Sequence, residues 1–276
     1  MLKKLIKYDI KSLNRFLLIM HAFFLLFTIL IRLCITGRIA PQTSNKQLDF
    51  LIMLASVLYF IIVVSLSTGT YLFIGFRFYK NLFSDEGYLT KTLPVTSSQH
   101  LLSKTIAGSI WGTFNLLSIY LCTYIVVWTP YVKSAFESEK AAILKELGFV
   151  GKYAHLSLSG ILAVLILYTC FNAIASTVMI YASVAFGQLF SSHRVIGAVV
   201  AYFAISTITS ILSLIFMALY GRTTMHYFIT VDANADFNFI EYMIEVLKFS
   251  GILALITTIV LYTITQYIMK KKINLI

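Results

Sequence analysis

Six long runs of apolar residues, separated by short polar segments, dominate the pattern along the chain. They cover residues 16–35, 50–76, 105–128, 156–189, 195–220 and 249–269. An α-helix needs about 20 predominantly apolar residues to cross the hydrocarbon core of a bilayer, and each run provides them. The second and fourth runs are longer than this, which predicts tilt, a kink or continuation beyond the bilayer. The pattern predicts an all-α membrane protein with six transmembrane helices.

Residues 1–14, ahead of the first run, have the pattern of an amphipathic helix. Apolar side chains recur at helical spacing, at Leu2, Leu5, Ile6, Ile10 and Leu13. Lysines fill the surface between them, at Lys3, Lys4, Lys7 and Lys11. Such a helix lies flat on anionic headgroups at the membrane interface. A frayed, positively charged tail is the alternative.

Composition supports a membrane location for most of the chain. Of the 276 residues, 59% are hydrophobic and only 12% are charged, which is too apolar for a soluble protein. The net charge of +11 would suit a nucleic-acid partner. Lysine and arginine are confined to short segments between the apolar runs, however, so no continuous basic face can form. We therefore expect membrane lipid around the chain and no nucleic acid.

The distribution of charge predicts an orientation. Positive residues are concentrated before the first run, in residues 77–104 and at the C-terminus, which six crossings place on one side. Residues 129–155 and 221–248, on the other side, carry mixed charge. By the positive-inside rule, both termini are cytoplasmic, and these two segments are extracellular. The sequence predicts one transmembrane domain over 1–276, in the cell membrane, with an amphipathic external helix at 134–147.

The apolar runs lack the groups that proton coupling or catalysis inside a membrane would need. Their middles contain no Asp, Glu, Lys or Arg. The histidines are isolated from one another and form no HExxH motif, so we expect no metal site. The sequence has no G-x-x-x-x-G-K-[ST] phosphate loop, so we expect this chain to bind no cofactor of its own. We predict passage across the membrane and no enzymatic activity in the chain itself.

Small and polar residues recur on one side of three predicted spans. Gly108 and Gly112 form a G-x-x-x-G pair in the third span, while Gly197 and Ala201 lie in the fifth. The mildly polar residues are Asn115 in the third span and Thr169, Asn172, Ser176 and Ser183 along a stripe of the fourth. We expect the small residues to pack helices closely. The polar residues either pack helices too or line a translocation path.

The segment between the second and third spans, residues 77–104, predicts a short helix outside the membrane. Ser84 is a typical N-cap, and Asp85 and Glu86 suit the positive end of a helix. Pro94 disfavours helix at the preceding residue and ends the element. Thr96 and Gln99 then form a capping box that begins the next helix. An acidic, aromatic projection of this kind either docks a partner or is a solvated connector.

The stretch FYKNLFSDEGYLTKTLPVTSSQHLLSK, residues 78–104, resembles the first cytoplasmic loop of type-2 ATP-binding-cassette (ABC) exporter permeases from Gram-positive bacteria. In that family the loop holds a coupling helix that docks in a groove on the ATPase subunit. The resemblance implies this role for Asp85, Glu86, Tyr88, Leu89 and Thr90. A second contact in such permeases comes from the turn between spans four and five, here Ser191, Ser192, His193 and Arg194.

The resemblance implies the permease subunit of an ATP-driven exporter. Its partners would be ABC ATPase subunits, which bind ATP and Mg, and a second permease, identical or homologous to this chain. Walls without fixed charge suit a hydrophobic or amphipathic cargo, such as a peptide, a drug or a lipid. The alternative is an ATPase-independent channel or sensor, in which the 77–104 loop binds a different partner.

Overall fold

The computed structural model describes residues 1–36, 46–190, 192–224 and 238–271. These residues form eight α-helices and a 3₁₀ turn at Gly151–Tyr153, with no β-strand among them. The helices are α1 (Leu2–Thr36), α2 (Lys46–Phe83), α3 (Asp85–Lys91), α4 (Ser97–Val127), α5 (Pro130–Glu146), α6 (Leu158–Gly187), α7 (Arg194–Thr224) and α8 (Phe239–Lys271). The predicted all-α fold is confirmed.

Within the described residues, six helices are long and apolar enough to cross a membrane: α1, α2, α4, α6, α7 and α8. Each contains all or most of one of the six apolar runs, so the predicted number of spans is confirmed and the architecture is that of a multi-pass membrane protein. The 38 residues of α2 extend for about 57 Å at 1.5 Å per residue. This helix is therefore much longer than a hydrocarbon core of about 30 Å, and continuation beyond the bilayer is one of the three alternatives that the length of the second run predicted.

The first turns of α1 correspond to the interfacial helix predicted for residues 1–14. They are helical, but they continue into the first span instead of forming a separate element. The 35 residues of α1 contain neither proline nor glycine, so nothing in the sequence breaks the helix. One face of these turns is buried in the protein, at Asp9, Leu13 and Leu17.

The described parts of the segments predicted to lie outside the membrane beyond α4 and α7 are largely helical. The external helix predicted for 134–147 is α5, and it begins earlier because Thr129 caps it and Pro130 occupies its first turn. The predicted extracellular segment 221–248 is divided: α7 continues to Thr224, and residues 239–248 are already part of α8. Residues 225–237 of that segment lie outside the described residues.

The centre of the bundle is formed by α4 and α6. Helix α4 packs against α1, α2, α6 and α8, and α6 packs against α2, α4, α7 and α8. Both helices bury many small side chains, including Ala107, Gly108, Ser109 and Gly112 on α4 and Ala173, Thr177, Ala182 and Ala185 on α6. Small residues let helix backbones approach closely, which is a main source of helix association in lipid.

The Gly108 and Gly112 face of α4 lies against α6 and α2. A Cβ atom at Gly108 would lie 2.7 Å from both Thr177 Cγ2 and Tyr181 Oη on α6. At Gly112 it would lie 3.1 Å from Tyr71 Oη on α2. The absence of a side chain at Gly108 is therefore needed for the observed separation of α4 and α6.

A tight hairpin joins α6 to α7. A Cβ atom at Gly187, the last residue of α6, would lie 2.6 Å from the backbone carbonyl oxygen of Arg194. At Gly197 it would lie 2.6 Å from Phe190 Cδ2, within the same hairpin. Gly197 thus packs on the connecting turn, while Ala201 is half-buried one turn further along α7. These glycines allow two long helices to meet directly after a short turn.

The two ends of the bundle differ in what they contain. Asp9 of α1 contacts Lys104 of α4, and Gln266 of α8 donates a hydrogen bond to Ser98 of α4 at 2.6 Å. The start of α1 and the end of α8 therefore lie together at the start of α4. We call this the α3 end, because α3 lies there as well. Helix α5 lies at the opposite end.

We expect Gly108→Ala to destabilise the folded protein by about 1–3 kcal/mol, because the new methyl group overpacks the contact with Thr177 and Tyr181. Gly251→Ala in α8 is the matched control. Its Cβ would lie 3.8 Å from the nearest atom, Tyr168 Cε2, so it should be neutral or stabilising. Thermal unfolding of both variants in detergent measures the difference. Equal unfolding midpoints would show that α4 and α6 are not held at this separation.

Candidate functional site

Helix α3 forms where the sequence predicted it, directly after α2. Ser84 precedes it, Asp85 and Glu86 occupy its first turn, and Thr92 ends it two residues before Pro94. The predicted side-chain cap is absent: Ser84 Oγ donates instead to the backbone carbonyl of Lys80 on α2. Ser84 caps only through its backbone carbonyl, which accepts from the Gly87 amide at 2.7 Å.

The predicted capping box at the start of α4 is confirmed. The backbone N–H of Gln99 donates to Thr96 Oγ1 at 3.3 Å, and the backbone N–H of Thr96 donates to the side-chain oxygen Gln99 Oε1 at 3.0 Å. Two backbone N–H groups that have no partner within the helix are thereby satisfied. The start of α4 is fixed, and the connection from α3 is held between two ordered helices.

One face of α3 is held against the end of α2. A Cβ atom at Gly87 would lie 2.6 Å from the Leu82 carbonyl oxygen, so only glycine permits this approach. Glu86 is half-buried and forms an ion pair with Lys80, Nζ to Oε1, at 3.0 Å. Thr90 is also half-buried, and its hydroxyl donates to the Glu86 carbonyl at 2.9 Å.

The opposite face of α3 is exposed. Tyr88 and Leu89 are 70% and 69% exposed, and Asp85 is exposed beside them. Of the five residues that the resemblance assigned to a partner contact, these three are available on the surface. Glu86 and Thr90 instead take part in contacts within the chain. Changing Glu86 would also disturb the attachment of α3 to α2, because its ion pair with Lys80 would be lost.

A buried ion pair lies beneath α3. Lys104 Nζ of α4 donates to Asp9 Oδ1 of α1 at 2.8 Å, and only 6% and 10% of the two side chains are exposed. Ser103 Oγ donates to the other carboxylate oxygen, Asp9 Oδ2. Both carboxylate oxygens therefore have partners. Removing one member of such a pair typically costs about 3–5 kcal/mol, because the remaining charge is buried without compensation.

Asn81 connects this pair to α3. In the amide orientation that satisfies both neighbours, its Nδ2 donates to Glu86 Oε2 at 2.8 Å and its Oδ1 accepts from Lys104 Nζ at 3.3 Å. A continuous chain of polar contacts thus runs from Asp9 through Lys104 and Asn81 to Glu86. We call these four residues the Asp9–Glu86 network.

Asp9 and Asn81 are site residues that the sequence reasoning missed. Asp9 lies one helical turn from both Leu5 and Leu13, on the apolar face of the N-terminal helix. An acid in that position among surrounding lysines indicates a buried partner, and this signal was present in the sequence. In the sequence, Lys104 is only one of the positive charges of residues 77–104 that predict the orientation.

The polar residues of the possible path lie inside the bundle, and most bond within their own helix. Thr169 and Ser183 donate to the carbonyls of Leu165 and Met179, and Asn172 Nδ2 donates to the Tyr168 carbonyl. Ser176 is half-buried on the same helix. These local bonds are typical of packed membrane helices. A role in passage stays a prediction.

Asn115 differs from the stripe because it is completely buried and partly unsatisfied. Its Oδ1 accepts from Thr70 Oγ1 of α2 at 3.3 Å, while its Nδ2 has no hydrogen-bond partner. Its position beyond Gly112 places a polar contact between α2 and α4 in the interior of the bundle.

The turn between α6 and α7 lies at the α3 end, since Tyr181 near the end of α6 donates to the Lys104 carbonyl at 3.0 Å. Ser192 and His193 are exposed, and Arg194 is half-buried as the first residue of α7. Ser191 lies outside the described residues. Leu189 and Phe190 add exposed apolar surface to this turn.

Arg32 of α1 joins the far end of α1 to the end of α4. Its guanidinium donates to the carbonyls of Val126 and Trp128, at 3.3 and 2.8 Å. These carbonyls belong to the end of α4, where a positive charge is favourable.

Across the part of the chain that the structure describes, no three His, Cys, Asp or Glu side chains are grouped to hold a metal ion.

We expect Gly87→Ala to loosen α3 from α2, because the added methyl group would meet the Leu82 carbonyl oxygen. A helix of seven residues is not stable alone. Amide hydrogen exchange in residues 85–91 should rise about tenfold. Tyr88→Ala, which removes an exposed side chain from the same helix, is the control and should change exchange little. Equal protection in Gly87→Ala and the wild type would contradict the tight contact.

Comparison of the chain with protein-family models, with curated proteins and with solved structures finds no match.

Proposed function

We propose that this protein is the permease subunit of an ATP-driven ABC exporter, and that α3 is the surface on which a separate ATPase subunit docks. The observation that carries the proposal is the division of α3 into two faces. Gly87 and Glu86 hold one face to α2, while Tyr88 and Leu89 project from the other. The resemblance of residues 78–104 to the coupling loop of type-2 ABC permeases supports the same assignment.

A rigidly held, exposed Tyr-Leu pair is suited to protein binding. Aromatic and aliphatic side chains that fill a partner's pocket contribute most of the affinity of many interfaces. Asp85 beside them adds a negative charge, which favours a partner with a positive rim. The attachment of α3 to α2 matters as well, because a force on a loosely tethered loop would not reach the spans.

The α6–α7 turn supplies a second exposed surface at the same end, with Ser192 and His193. Two contacts at one end of a six-span bundle would let an ATPase pair move the two halves of a permease dimer against each other. ATP binding would then favour one of two arrangements of the dimer. The dimer would enclose a path for a hydrophobic or amphipathic cargo, with Asn115 and the polar stripe of α6 as candidates for its lining.

We further propose that the protein lies in the cell membrane with the α3 end in the cytoplasm. The described part of that end carries the lysine-rich start of α1, with Lys270 and Lys271 at the end of α8. Helix α5, at the opposite end, mixes acidic and basic residues. By the positive-inside rule this asymmetry directs the α3 end to the cytoplasm.

Cysteine labelling in intact cells tests this orientation. The background would carry alanine at the three native cysteines, Cys34, Cys122 and Cys170. Lys133→Cys in α5 should react with a membrane-impermeant maleimide, whereas Lys271→Cys should react only after the cells are permeabilised. Both positions are exposed, so access to the reagent decides the result. Labelling of Lys271→Cys in intact cells would overturn the orientation.

The double variant Tyr88→Ala/Leu89→Ala tests the docking role. We expect it to fold normally and to lose at least about tenfold in affinity for the ATPase subunit that co-purifies with the wild-type protein, because the apolar anchors are gone. Tyr131→Ala is the matched control. This tyrosine is 54% exposed at the start of α5, at the opposite end of the bundle. Affinity is measured by co-purification and titration in detergent.

Two outcomes would contradict the proposal. If Tyr88→Ala/Leu89→Ala binds the ATPase as tightly as the wild type does, α3 is a solvated connector and not a docking surface. A wild-type protein that brings down no ATPase, but a different partner that needs Tyr88 and Leu89, would identify an ATPase-independent channel or sensor instead.

A further inference from the structure

We infer that the Asp9–Glu86 network is a mechanical link between α3 and the first span, with Asp9 as the positioning residue at its inner end. The link would transmit a displacement of α3 to the start of α1. As an account of ATPase coupling this rests on the proposed function, because it names the route from the docking surface into the spans. The link itself is a property of the single chain.

The network joins four helices through side chains alone. Glu86 belongs to α3, Asn81 to α2, Lys104 to α4 and Asp9 to α1. Its contacts are 2.8 Å from Asn81 to Glu86, 3.3 Å from Lys104 to Asn81 and 2.8 Å from Lys104 to Asp9. No other continuous chain of side-chain contacts described above reaches from α3 to α1.

The two ends of the network differ in their exposure to water. At the outer end, the side chain of Glu86 is 43% exposed. Lys80, which pairs with Glu86 but is not a member of the network, is 44% exposed, so this ion pair can open with water replacing the lost partner. Lys104 and Asp9 are almost completely buried, so neither can give up its partner without a large penalty. The outer end can therefore move, while the inner end holds together and carries the movement onward.

The start of α1 is also attached to its neighbours independently of α3. Arg77 Nε of α2 donates to Ser12 Oγ at 2.9 Å, and Trp111 Nε1 of α4 donates to Asn14 Oδ1 at 3.0 Å. The Arg77–Ser12 contact lies close to Asp9 but leads to α2 and not to α3. This contact serves as a control. It is also polar and lies near Asp9, but its loss should not affect the transmission of movement from α3 to α1.

A double-mutant cycle on the full chain in detergent tests the link without any ATPase. Gly87→Ala displaces α3, and amide hydrogen exchange reports on residues 2–13 of α1. We expect Gly87→Ala to raise exchange in these residues about fivefold when Asn81 is present. In an Asn81→Ala background, Gly87→Ala should still loosen α3 but should no longer change α1. Non-additivity of this kind measures coupling and not the cost of either change alone.

Ser12→Ala is the matched control background, in which Gly87→Ala should still raise exchange in α1. Unchanged exchange in α6 shows that every variant remains folded. If Gly87→Ala leaves α1 unchanged when Asn81 is present, or affects it equally in the Asn81→Ala background, the inference is wrong. It is also wrong if Ser12→Ala abolishes transmission as completely as Asn81→Ala does. An ATPase that binds elsewhere would overturn the proposed function but would leave this cycle unaffected.

Discussion

The buried ion pair between Asp9 and Lys104 is the interaction on which the organisation of the α3 end depends. A carboxylate and an ammonium group removed from water must stay together, because separating them leaves two uncompensated charges. Their contact fixes the start of α1 beside the start of α4. The capping box of α4 then fixes where the chain coming from α3 enters this helix. Hydrogen bonds from Tyr181 and Gln266 to α4 bring α6 and α8 to the same end.

Further into the membrane, close packing replaces charge as the main constraint. Lipid tails are as apolar as leucine, so helices gain little by burying large apolar side chains against each other. Close contact between small residues is the available alternative. Gly108 brings α4 onto α6, and Gly187 brings α6 onto α7. The large apolar side chains of α7, such as Phe203 and Leu214, are left on the surface for lipid.

Some residues of α3 attach the helix to α2, and others are exposed on its surface. This difference changes the role that the sequence alone suggests for each of them. Glu86 is suited to a partner contact by sequence alone, yet its carboxylate already contacts Lys80 and Asn81. Tyr88 and Leu89 carry the exposed surface, and Gly87 makes the attachment possible. A short helix that is rigidly attached on one side and apolar on the other is suited to receiving force from a partner.

The sequence by itself determined the six spans, α3, α5 and the capping box, because each depends on residues within a few turns of one another. Span length, helix caps and Pro94 act locally, so their effects can be read from neighbouring positions. Only the tertiary structure decided that Asp9 pairs with Lys104, 95 residues away. It also decided that Asn81 bridges this pair to Glu86, and that Gly108 faces Thr177. Such pairings depend on which helices become neighbours, and an apolar pattern shared by all six spans does not specify that arrangement.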